Sequence, residues 1–292
     1  MTFQKIDIMK YRTVKKYTSL QHMNVGPFKI KQPLPNDELQ QVSPFLLLHH
    51  GGPQTHAPGE LKARLSPHPH RGFEPVTFLF SGKIHHKDST GSEGFLQTGD
   101  VQWMTAGSGI IHSEGPSAAF AKEGGEMELV QLWVNLPREQ KMVAPKYQDM
   151  KKENIPVVKE KGFQLSLVAG EYKGLKGPAS TFTPILAMML RFEDEGETDI
   201  QIPSSYNSLL YVLDGEIETG NVLFEKYNLG VFEKNGDGVL LKAKKGGKAL
   251  LLAGEPINEP VASYGPFVMN YPGEIKQAIM DYELGKMGVL ES

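Results

Sequence analysis

The sequence predicts an all-β protein made of two similar small barrels followed by a short C-terminal helix. Three observations lead there. Short apolar runs recur between turn signals along the 292 residues, which include 31 glycines and 20 prolines. The two halves of the chain echo each other in order and spacing. The clearest helical period lies near the C-terminus.

Taken in order, Leu46–Leu48, Val76–Phe80, Val130–Val134, Leu165–Val168, Leu186–Leu190, Leu209–Leu213 and Leu250–Ala253 read as strands. Their turns include Ser81-Gly82, Thr90-Gly91, Asp214-Gly215 and Asn235-Gly236. Many short strands at this spacing suit a sandwich or barrel. The helix is expected over Glu274–Leu284, with Ile275, Ile279 and Tyr282 on one face and Gly285 ending it. The echo pairs Phe78-Leu79-Phe80-Ser81-Gly82-Lys83-Ile84 with Tyr211-Val212-Leu213-Asp214-Gly215-Glu216-Ile217. Gly99-Asp100 with Ala106 matches Gly236-Asp237 with Ala243 at equal separation. A polar, proline-bearing join is expected near Pro137–Pro156. The expected domains are therefore 1–136, a linker at 137–165, and 166–292 with the helix.

Composition excludes several classes. There is no cysteine, so disulfides, thiolate metal sites, iron–sulfur clusters and cysteine nucleophiles are ruled out. A net charge of -3 gives no general attraction to nucleic acid. No stretch approaches the roughly 18 apolar residues of a membrane span, so the expected location is cytoplasmic, with no membrane partner.

Eight of the nine histidines fall between His49 and His112. Within that window His68-Pro69-His70 and His112-Ser113-Glu114 form two pairs spaced by one residue. In a strand every second side chain shares a face, so each pair can aim two ligands at one point. Two such strands facing each other inside a barrel would supply three imidazoles and a carboxylate to a divalent transition metal. Carried across the echo, His68, His70 and Glu74 fall opposite Gln201, Pro203 and Asn207, while His112 and Glu114 fall opposite Ala249 and Leu251. The second half therefore cannot build a comparable site.

The phrases PHPHRGFE (67–74), GDVQWMTAGSGIIHSE (99–114), PFLLLHHGG (44–52) and the late GPFVMN (265–270) resemble the pirin family of the cupin superfamily, from about Gly26 to the C-terminal helix. The resemblance implies two tandem cupin (jelly-roll) β-barrels with one iron site in the first. Carried over position by position, the ligands are His68, His70, His112 and Glu114. Typical cupins take the carboxylate from the first motif, here Glu74; pirins take it from the second, here Glu114. Strand parity alone leaves Glu74 open, because it is in phase with His68 and His70 unless Gly72 or Pro75 breaks the strand. With Glu114 as ligand, Glu74 would sit behind the site and orient a ligand ring.

The remaining candidates have plainer expectations. Of His49 and His50, one faces inward and one outward, as hydrogen-bonded structural residues. His85 and His86 follow a tight turn and are expected at the surface, with the approach of one of them to the pocket as the alternative, and His56 lies in a loop that covers the site mouth or stays clear of it. Trp103 and Met104 suit a core. Arg71 meets either a substrate anion or a local carboxylate. The glycines of Ala106-Gly107-Ser108-Gly109 are turn residues, since no P-loop lysine follows.

Neutral imidazole and carboxylate suit Fe2+, and also Mn, Co, Ni or Zn. The resemblance implies a quercetin 2,3-dioxygenase-type reaction, in which an enolic or flavonol-like substrate and O2 meet at the metal and Glu114 acts as both ligand and proton acceptor. It also implies an alternative of another class: an iron-dependent, redox-responsive regulator that binds a protein partner without catalysis. Other cupin chemistry, such as isomerisation, is a third option. The fold does not choose among them.

Overall fold

The computed structural model describes residues 9–61 and 63–291. They form two compact units. The first takes residues 19–155, 178–183 and 257–291; the second takes 9–18, 156–177 and 184–256. The units are thus not the contiguous halves expected from the sequence. The N-terminal arm goes to the second unit and the C-terminal tail to the first. The stretch expected to be a linker contains strands of both. Residues 1–8, 62 and 292 of the expected domains lie outside the described residues.

The chain first lays β1 (Val14–Tyr17) against the strand Leu229–Phe232 of the second unit. It then builds the first unit from β2 (Gln21–Val25), β3 (Phe28–Leu34), β4 (Phe45–His56), β5 (His68–His70), β6 (Phe73–Ser81), β7 (Lys83–Asp88), β8 (Glu93–Gln97), β9 (Val101–Thr105) and β10 (Ile110–Pro116). A short helix, α1 (Ala118–Glu123), follows, its N-terminus capped by the Ser117 hydroxyl. Then come β11 (Gly125–Asn135) and β12 (Lys146–Met150).

These strands make two antiparallel sheets. One has seven strands in the order β12-β9-β6-β11-β4-β3-β2, the other four in the order β5-β10-β7-β8. Alternation sorts the side chains of β11. Val130, Leu132 and Val134 are fully buried on one face. Met127, Leu129, Gln131 and Trp133 share the other. The edge strand β12 pairs with β9 from Lys146↔Thr105 to Met150↔Val101. Its sequence, KYQDM, is polar because an edge strand is half solvated. That is why it reads as linker in one dimension.

In the second unit a nine-stranded sheet includes β1 and the long strands Asn207–Thr219 and Gly238–Gly254. Its main core cluster is apolar, with Leu165, Leu190, Leu210, Val212, Ile217, Leu241 and Leu251 completely buried. Ala249 and Leu251, the positions matched to His112 and Glu114, are part of that core. The second barrel is filled where the first carries polar residues.

The C-terminal helix α2 spans Pro272–Glu283 and belongs to the first unit. It starts earlier than the sequence period suggests, because Pro272 suits the first helical position and the Glu274 carboxylate accepts from the Asn270 and Tyr271 backbone N–H groups, both at 2.9 Å. Its buried face is also rotated from the expected one. Ile275, Ala278 and Asp281 face inward, while Tyr282 is exposed. Asp281 is drawn in by Arg71, whose Nη1 donates to Oδ2 at 2.8 Å while its Nε donates to the Ser108 carbonyl at 2.7 Å. Lys286 and Gln277 donate to the other carboxylate oxygen, both at 2.8 Å. Lys286, Arg71 and Gln277 together hold the Asp281 carboxyl well below its ordinary pKa. Arg71 is thereby committed to a structural tie. Among the described residues no helix is long and apolar enough to cross a membrane.

Removing this tie should loosen α2 locally. In Arg71→Ala the amide protons of α2 should exchange on the order of tenfold faster, the size expected of a buried polar contact, while those of β11 stay protected. Unchanged exchange in α2 would show that apolar packing alone holds it.

Candidate metal centre

The motif His68-Pro69-His70 forms β5, and His112 lies in the middle of its neighbour β10. The register pairs His112 with His68 and Ile110 with His70. Residues directly opposite on adjacent strands share a face. The two motifs therefore lie side by side in one sheet, not on strands facing each other across the barrel. The three rings converge: His68 and His112 have centroids 4.4 Å apart, and His70 lies 4.9 Å from each. One potential ligand atom from each ring falls within 4.8 Å of the others.

The rings are prepared for a cation. His68 Nδ1 sits 2.9 Å from the Ser66 carbonyl oxygen. A carbonyl only accepts, so Nδ1 carries a proton, which in the neutral ring leaves the lone pair on Nε2. His70 and His112 are almost fully buried; among the described residues neither nitrogen of His112 has a hydrogen-bond partner, and the one polar group that His70 meets is the Pro266 backbone. Burial pushes both pKa values well below 6.5, reinforced by the neighbouring imidazoles. The rings are neutral, and each buried nitrogen left without a partner costs about 1–3 kcal/mol. A divalent transition ion answers that deficit with the donor set it prefers. His68, His70 and His112 therefore fit a metal.

Glu114 follows His112 on the same face of β10 but lies outside the tight imidazole group. Its Oε1 accepts a hydrogen bond from Gln131 Nε2 on β11 at 3.0 Å. Glu74 points elsewhere. Gly72, at φ +85°, breaks the strand between His70 and Phe73, and a β-carbon there would lie 2.0 Å from the Val268 carbonyl oxygen. The break resets the alternation. Phe73 takes the side facing the imidazoles, 5.2 Å from the His70 ring. Glu74 turns to the other face and accepts from the Thr105 hydroxyl at 2.6 Å. Burial raises its pKa to about 7, with the Thr105 hydrogen bond opposing the rise.

Other residues complete the surroundings. Trp133 stacks on Phe73 with centroids 4.2 Å apart and meets the His70 ring at 5.5 Å. On β7, Asp88 lies opposite His112 and His86 lies opposite Glu114. His86 is buried, so it is the alternative, one of the pair approaching the site, that holds and not the surface position. Tyr147 covers His86 at 4.4 Å. Its neighbour His85 stacks on Phe95 at 4.5 Å. Trp103 and Met104 are core, as expected. His50 is completely buried beside Glu128, at 3.2 Å. His49 and His56 both line a cavity of about 310 Å³.

That cavity is walled by Phe28, Ile30, Leu65, Ile84, Met127 and Leu129, and both Glu114 and Gln131 open into it. The sequence held a signal for Gln131 and Trp133, which alternate with Val130, Leu132 and Val134. Alternation names the face, but only the sheet order shows what that face meets.

Two β-barrels, one carrying a buried three-imidazole cluster, define a bicupin with a single candidate metal centre. A family model described as Pirin matches residues 27–134, and one described as Pirin C-terminal cupin domain matches residues 187–288. A Pseudomonas aeruginosa protein is 39% identical over 249 residues, covering 85% of this chain and 87% of its own. The pirin of Homo sapiens is 36% identical over 269 residues, covering 89% of this chain and 88% of its own. The crystal structure of a quercetin 2,3-dioxygenase from Acinetobacter baumannii superposes with a TM-score of 0.90 at 38% identity, covering 97% of this chain and all of that one. This chain belongs to the pirin family.

The Glu74 carboxyl makes a test of its own. Its pKa is about 7 in the fold against 4.5 ordinarily. The native state thus keeps a proton that the unfolded chain has released across that window, and stability falls as pH climbs through it. In urea titrations of metal-free protein, the stability difference between wild type and Glu74→Gln should shift by up to about 3 kcal/mol against the wild type between pH 4.5 and pH 7. A difference independent of pH would place the proton elsewhere.

Proposed function

We propose that this chain is a metal-dependent dioxygenase of the flavonol (quercetin) 2,3-dioxygenase type, using O2 at a ferrous ion held by His68, His70, His112 and Glu114. The observation that carries this is the convergence of His68 with the buried rings of His70 and His112, on a strand whose Glu114 also lines a largely apolar cavity. The likeness to the Acinetobacter baumannii quercetin 2,3-dioxygenase supports the reaction class. Mn, Co, Ni or Zn would suit the same donors.

When bound, the ion would supply a Lewis acid for a substrate hydroxyl and, as iron, a one-electron redox couple. The chain's own residues do the rest. The Ser66 carbonyl fixes the His68 tautomer, so that its lone pair faces the other two imidazoles. Gln131 donates to Glu114 Oε1 and so orients the carboxylate that would help hold the ion. In this scheme Glu114 also accepts the proton of the enolic hydroxyl, creating the electron-rich carbon that reacts with O2. Phe73 and Trp133 keep water from the His70 side. Ile84, Leu129 and Met127 offer a wall to a flat aromatic substrate. O2 and a small enolic substrate are then the partners of the reaction.

Iron-loaded protein incubated with quercetin under O2 should consume one O2 and release one CO per flavonol bleached. No turnover with Fe, Mn, Co or Ni would contradict the assignment and favour the regulator that binds a protein partner. The choice of carboxylate is tested separately. Glu114→Gln should lower kcat by roughly 100-fold or more, the range of a lost general base, and Glu114→Ala should release metal more readily than Glu74→Ala. The reverse order of metal loss would make Glu74 the ligand.

A further inference from the structure

His49 lies on β4 directly opposite Gln131 on β11, and Gln131 in turn holds Glu114. Directly opposed side chains sit about 5 Å apart at their β-carbons. His49, Gln131 and Glu114 thus form a row, and all three line the 310 Å³ cavity.

The protonation of the His49 ring is dictated from behind. Its Nε2 is 2.7 Å from Gln32 Oε1. The Gln32 amide cannot be turned over, because its NH2 already donates to the Pro35 carbonyl at 3.0 Å and to Gln21 Oε1 at 3.2 Å. The Gln21 amide is fixed in its turn by donating to Asp37 Oδ1 at 3.2 Å. A carbonyl and a carboxylate at the far end only accept, so every link in the chain donates toward them. His49 Nε2 must therefore carry the proton, and Nδ1 must carry a lone pair. Among the described residues Nδ1 makes no hydrogen bond, and burial lowers the ring's pKa to about 4, so the ring is neutral at ordinary pH.

We propose that His49 is a specificity-determining residue, whose Nδ1 accepts a hydrogen bond from a second hydroxyl of the bound substrate, one strand away from the carboxylate end of the cavity. Given the flavonol-type assignment above, on which this rests, the chain selects polyhydroxylated enolic aromatics over those whose only hydroxyl is the reacting one. A substrate lacking the second donor leaves a preset acceptor unmet, and discrimination of that kind exceeds what apolar contact achieves.

The test is anaerobic binding to the ferrous protein, followed by tryptophan fluorescence, with quercetin and with 3-hydroxyflavone, which has only the reacting hydroxyl. Quercetin should bind more tightly to wild type, and His49→Phe should reduce the quercetin to 3-hydroxyflavone affinity ratio by about tenfold, as loss of one hydrogen bond allows. His49→Gln, which keeps an acceptor, should retain part of the preference. Gln32→Leu should weaken it by freeing the ring to protonate at either nitrogen, and it carries the test should His49→Phe fail to fold. An unchanged ratio in His49→Phe or in Gln32→Leu overturns the proposal, as does a wild type that binds neither compound. Binding with the expected ratios but without O2 consumption would leave His49 standing and remove the dioxygenase assignment.

Discussion

His112 buries two ring nitrogens without a hydrogen-bond partner among the described residues, and His70 beside it meets only the Pro266 backbone. Left alone, such a deficit opposes folding, and the alternation of two adjacent short strands creates it. Pro69 lies between His68 and His70, Ser113 lies between His112 and Glu114, and the register sets His112 beside His68. Binding an ion would turn the deficit into a source of stability, since a ligand that binds only the native arrangement favours it.

The surroundings follow from that constraint. The turn at Gly72 ends the histidine strand and resets the phase of the next, which brings Phe73 to the imidazoles and sends Glu74 to Thr105. The carboxylate on the imidazole face is then Glu114, and it is oriented by Gln131 from the opposite sheet. In the second barrel the matching positions are Ala249 and Leu251, buried among other apolar side chains. One copy of the barrel keeps polar groups that want an ion, while the other fills the same space with hydrocarbon and needs none.

Much of this was legible along the chain, for identifiable reasons. The histidine pairs are spaced by the period of a strand, so their convergence could be expected before their partners were known. The strands around Phe78 and Tyr211 carry β-branched and aromatic runs closed by Ser-Gly and Asp-Gly turns, which signal hairpins locally. The unit boundaries carried no such signal. β1 pairs with residues more than two hundred positions away, and β12 is a polar edge that looks like a linker. Helix α2 turned its buried face toward Arg71, a partner that the helical period cannot reveal. Gln131, His86 and Tyr147 were visible as residues, but the place of His86 depends on the strand order within its sheet, and that of Gln131 and Tyr147 on which sheets face each other.

The account stands on three imidazoles and one carboxylate sharing a single ion. X-ray absorption spectroscopy on iron-loaded protein, with the metal content measured on the same sample, tests this most directly. We expect one iron per chain and a ligand shell of three imidazoles plus oxygen donors. A shell with fewer than three imidazoles, or an ion count that survives replacement of His112 by alanine, would contradict it.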